Sequence, residues 1–132
     1  MFFSGERVRR RSEIVKLHFA SWNIGSLTSK PIELVKALHR YKISITCIQE
    51  TKWVGAKAKK IDGYKLWYLG LKRAKNGVGI LIMKDFVEQV VKVRCKSGCI
   101  MSVKVVVGST IFNIVSVYAL QIGLAEDFKR LF

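Results

Sequence analysis

Glu50 stands where a carboxylate is costly. It follows the run Ile43-Ser44-Ile45-Thr46-Cys47-Ile48-Gln49, whose apolar and β-branched residues predict a buried strand. A charge at the end of such a strand is expensive unless water, a cluster of cations or a metal ion meets it. A strand that has already surfaced, with Glu50 solvated, is the simpler reading of this stretch taken alone. A second stretch, Phe19-Ala20-Ser21-Trp22-Asn23-Ile24-Gly25, changes the weighing. It also reads as a strand end, with Gly25 allowing a sharp turn. If the two strands are parallel, Asn23 and Glu50 reach the same sheet edge, at the carboxyl ends of the strands, where sites in such sheets form.

The elements that must position these groups follow from periodicity. Lys16 to Trp22 alternates, with Leu17, Phe19 and Ser21 on one face and His18, Ala20 and Trp22 on the other, which predicts a strand. His18 reads as a strand-face residue. Pro31 suits the first turn of a helix, with Ser29 or Lys30 as cap and Glu33 beside the helix dipole. Leu34, Val35, Ala37, Leu38 and Tyr41 lie at helical spacing and predict one packed face, while His39 sits among cations and reads as exposed. Strand, helix and strand make a βαβ-like unit. Residues 51–63 read as a polar loop. Strands are then expected at Tyr64–Leu69, Val78–Met83, Phe86–Arg94, Ile100–Val107 and Thr110–Tyr118, joined by short turns such as Lys96-Ser97-Gly98 and Val107-Gly108-Ser109 into antiparallel meanders. Leu124 to Phe132 begins a helical pattern.

With 132 residues the chain is one domain at most, and half of its residues are hydrophobic, enough for a core. The net charge of +15 points to a polyanionic partner, nucleic acid first. No basic amphipathic helix or long apolar run favours a membrane. The N-terminus runs into charge too soon for a secretory segment, so the expectation is an intracellular protein. Residues 1–14 read as a loose arm whose Arg7, Arg9, Arg10 and Arg11 would touch phosphates, serve as a nuclear localisation signal, or simply be solvated. The three cysteines, Cys47, Cys95 and Cys99, lack paired metal spacing and read as reduced thiols in the core or on strands.

Four motifs in order, Trp22-Asn23-Ile24-Gly25, Ile48-Gln49-Glu50-Thr51-Lys52, Gly77-Val78-Gly79-Ile80 and Val117-Tyr118-Ala119, resemble the endonuclease/exonuclease/phosphatase superfamily. Nearest in character are endonuclease domains of LINE-type retrotransposons and plant proteins similar to craniofacial development protein 2. The likeness runs from about Leu17 to the end of the sequence, so that 15–132 would be the domain. It implies an α/β fold, the N-terminal half of a four-layered sandwich: two mixed, largely antiparallel sheets face to face, with helices outside. It implies cleavage of phosphoester bonds with Mg²⁺ or Mn²⁺. Glu50 matches the metal-binding glutamate, Asn23 the asparagine that orders the metal site, and Tyr118 the tyrosine near the scissile phosphate. A hard cation that keeps several waters needs few protein oxygens, and it stabilises charge on the phosphate. The sequence departs from the family at Leu120 and Gln121, where a proline and commonly an asparagine are expected. The later aspartates and histidine that orient and deprotonate the attacking water have no counterpart up to Phe132, so the resemblance implies a truncated domain.

Between the motifs lie Lys52, Lys57, Lys59, Lys60, Lys72, Arg73 and Lys75, with Trp53 interleaved. If their loops rim the site, the cations hold phosphates and Trp53 stacks on a base or enters a groove. The bland alternative is that these lysines keep a hydrophobic chain in solution. Three functions remain: a metal-dependent DNA endonuclease, a non-catalytic basic nucleic-acid binder, and a phosphatase of the same superfamily.

Overall fold

The computed structural model describes residues 2–24, 31–53, 55–70, 77–96 and 100–117. Its first pair of strands corrects the reading of a loose arm. Strand β1 (Phe2–Arg10) pairs antiparallel along its whole length with β2 (Glu13–Asn23). Charge disguised it, yet Val8 is buried opposite Val15, and the turn at Gly108 approaches the Arg9 carbonyl so closely that a Cβ there would collide with it.

Helix α1 (Pro31–Arg40) starts at its proline and carries Glu33 in the first turn and His39 and Arg40 in the last. Its end is a Schellman turn. Lys42 takes the left-handed position (φ 53°), and the Ile43 and Lys42 amides donate to the carbonyls of Leu38 and His39. Leu34, Val35 and Leu38 are buried, but Tyr41 lies beyond the helix and is exposed, off the expected packed face.

Strand β3 (Ile45–Gln49) follows and lies parallel to β2. The polar stretch after it is in large part a strand, not a loop. β4 (Gly55–Ile61) pairs with β5 (Tyr64–Gly70), and β5 with β6 (Val78–Met83). The large sheet has the order β1-β2-β3-β6-β5-β4, with β2–β3 its one parallel pair. A one-turn helix, α2 (Lys84–Val87), takes the beginning of the segment expected to be all strand, and β7 spans Val90–Lys96. β7, β8 (Ile100–Val107) and β9 (Thr110–Val117) form an antiparallel small sheet in that order.

The fold is α/β, with two sheets packed on one another and α1 outside the large one. Leu17, Ile45, Ile80 and Ile82 meet Met101, Val103, Val105 and Val107 between the sheets. On the other face Leu34, Val35 and Leu38 cover Ala20, Ile48, Leu66 and Leu81. Each of the Val, Leu, Ile and Met side chains among these contributes about 1.5–3 kcal/mol by leaving water. Among the described residues no helix is long and apolar enough to cross a membrane.

Candidate active site

The parallel pairing of β2 and β3 puts Asn23 opposite Gln49, and the Ile24 amide donates to the Gln49 carbonyl at 3.1 Å. Asn23 and Glu50 therefore share the carboxyl edge of the sheet. On the other side of β3, Val78 opens β6 opposite Gln49. Glu50 leaves the sheet between these neighbours, half-buried, with φ 58°.

Local backbone geometry fixes the turn that carries Glu50. Glu50 and Lys52 (φ 59°) both occupy the left-handed region, unusual for residues with side chains, and they bracket a fully buried Thr51. The Thr51 amide donates to the Gly77 carbonyl at 3.3 Å, and Thr51 Oγ1 accepts from the Trp53 amide at 3.4 Å. Gly77 has φ 104°, and a Cβ on it would collide with Thr51 Oγ1. The glycine is what lets this connection fold down against β6.

The small sheet is tied to the same edge. Ser116, fully buried on β9, donates its hydroxyl to the Ile48 carbonyl at 2.9 Å. Gln49 Nε2 donates to Ser116 Oγ at 3.3 Å and to Ser21 Oγ at 3.4 Å. The Cys47 thiol donates to the Val115 carbonyl at 3.6 Å. Burial pushes this thiol up to about 12, against a smaller opposite effect of the Ser116 hydrogen bond, so it is inert near neutral pH. β9 ends at Val117, one residue short of Tyr118, which lies outside the described residues.

The basic residues divide by strand register. Lys52 is exposed beside Glu50. Lys57 lies opposite Tyr68 and Lys59 opposite Leu66, on the face of the sheet that α1 covers in part. Lys60 lies opposite Lys65 on the other face, five residues along β4 from Gly55 and so about 16 Å from the site edge. It does not rim the site. Lys72, Arg73 and Lys75 lie outside the described residues. Trp53 packs edge-on to Tyr68, with ring centroids 5.0 Å apart, and Lys59 Nζ stands 5.3 Å from the centroid of the indole.

Sequence reasoning missed Ser116 and Tyr68, and took Thr51 and Gly77 only as members of motifs, not as a contacting pair. Only Gly77 carried a local signal, a glycine immediately before an apolar strand. The two histidines serve packing. His18 Nδ1 lies 3.1 Å from the Lys42 carbonyl, and His39 Nε2 lies 2.8 Å from the Asp62 carbonyl.

The donors at the edge are oxygens: the Glu50 carboxylate and the Asn23 amide. Such a set fits a hard cation that retains much of its water and does not fit zinc or copper. Among the described residues no three or more His, Cys, Asp or Glu side chains are grouped so that they could hold a metal ion. The chain matches no protein-family model and no curated protein.

Proposed function

We propose that the chain is a metal-dependent phosphodiesterase domain acting on nucleic acid, DNA before RNA, of the endonuclease/exonuclease/phosphatase type. The observation that carries this reading is the delivery of Glu50 and Asn23 to one sheet edge by two parallel strands, in the sequence setting that resembles that superfamily. Glu50 would hold Mg²⁺ or Mn²⁺, and Asn23 would help to order it. The ion supplies stabilisation of charge on the phosphate oxygens. Lys52 would contact the phosphate backbone next to Glu50, with Lys57 and Lys59 further along β4. Tyr118, by its match to the family tyrosine, would donate to a phosphate oxygen. A nuclear location accords with such a substrate.

A second reading is a basic nucleic-acid-binding domain without cleavage. It is favoured by the net charge of +15, which suits a polyanion whether or not the chain cuts it. A phosphatase acting on small phosphoesters is the third, and the net charge of +15 suits a polymer better. The test sets supercoiled plasmid beside a panel of small phosphoesters, each with Mg²⁺. Nicking without turnover of the small esters supports the leading reading. Salt-sensitive binding without nicking supports the second, and turnover of the small esters alone supports the third.

A further inference from the structure

Trp53 is built into the connection that carries Glu50. Two residues separate them, and the Trp53 amide is held by Thr51 Oγ1, itself on a fully buried residue. The indole is half-exposed at the margin of the core beneath α1. Tyr68 meets it edge-on at 78°, which braces the ring. Lys59, exposed on the edge strand β4, places its ammonium over the ring. An ordered, partly exposed indole beside a site edge is a ready surface for a nucleobase, because its orientation has already been fixed.

The cap on that surface is weakly held. A cation over an exposed ring is a modest attraction, and stacking of a base on an aromatic side chain is the stronger one. An arriving base therefore displaces the Lys59 ammonium, which is left beside the phosphate attached to that base. Lys57, two residues before Lys59 and opposite Tyr68, offers a second cation on the same face.

We propose that Trp53, braced by Tyr68 and capped by Lys59, stacks one unpaired base of a nucleic-acid strand lying along the Glu50 edge, with Lys59 moving from the ring to the phosphate. This rests on nucleic acid as the partner but not on cleavage. It makes the preferred substrate single-stranded or locally opened, since a base within a duplex offers no free face.

The test is binding of the full chain to two probes in the presence of chelator: a ten-nucleotide oligothymidylate and an abasic deoxyribose-phosphate strand of equal length. Wild type should bind the thymidylate about tenfold more tightly than the abasic strand, with tryptophan emission quenched by the former alone. Trp53→Leu should erase that difference and leave abasic affinity unchanged. Lys59→Gln, at an exposed position, should retain the difference while weakening both probes and flattening the salt dependence by about one phosphate contact. A base-dependent gain that survives in Trp53→Leu, or wild type without gain or quenching, overturns the proposal. If Trp53→Leu does not fold, the wild-type emission and the Lys59→Gln result decide it. Because no cleavage is read, loss of nicking leaves this result intact, whereas failure to bind either strand removes nucleic acid as the partner altogether.

Discussion

The Ser116 hydroxyl donates to the carbonyl of Ile48, two residues before Glu50, across the gap between the two sheets. One buried hydrogen bond thus fixes the end of β9 against the end of β3, and the candidate carboxylate is referenced to both sheets. Ser116→Ala removes this donor and the acceptor for Gln49. It should cost about 1–3 kcal/mol in denaturant-induced unfolding, with little change in the slope of the transition.

Gly77 is the second support of the Glu50 connection. Gly77→Ala forces a Cβ onto Thr51 Oγ1 and a side chain into a left-handed conformation, and should destabilise by about 2 kcal/mol or more. Gly55→Ala is the control. Its φ is 107°, but a Cβ there meets no atom within 4 Å, so its smaller loss reports backbone strain alone. Equal effects in thermal melts of the two variants would contradict the close contact at Thr51.

Strand β1 gives a test of the correction to the N-terminal arm. Val8→Asp places an unpaired charge at a position 4% exposed and should cost more than about 2 kcal/mol. A solvated arm would tolerate it within roughly 0.5 kcal/mol. Equilibrium unfolding of the purified variant distinguishes the two.

Alkaline pH should weaken the fold. Burial raises Cys47 from 9.0 to about 12, and burial followed by the charge of Asp85 raises Tyr64 from 10.0 to about 12. The folded state holds these protons more tightly, so the unfolded chain releases them first as pH rises. The stabilisation is complete below about pH 9 and is lost as pH climbs toward 12. Cys47→Ala should lose less stability than wild type between those limits. Cys47 should also resist alkylation near neutral pH until the chain unfolds.

How far the sequence could be read depended on how each strand is buried. β2, α1 and β3 were legible because Leu17, Leu34, Leu38 and Ile45 repeat with the periods of half-buried or fully buried elements. That unit alone implied that Asn23 and Glu50 meet. β1 and β4 were not legible, because both are edge strands. Lys57, Lys59 and Lys60 give β4 the composition of a loop, yet charged residues are what a sheet edge tolerates and what discourages further pairing. The same error brought Lys60 to a rim it does not reach. α2 is too short to show a period. Thr51 and Ser116 do their work through backbone carbonyls distant in sequence, and no local pattern reports that.

The most direct test of the account is a plasmid-nicking assay on the purified, monodisperse chain, with Mg²⁺ and with chelator, beside Glu50→Gln. Gln keeps the size of the side chain, and Glu50 lies outside the core, so folding should be unchanged by circular dichroism. Nicking should require Mg²⁺ and fall by at least about a hundredfold in Glu50→Gln. Nicking that persists in the variant, or in chelator, would contradict the assignment of Glu50 as the metal-holding carboxylate.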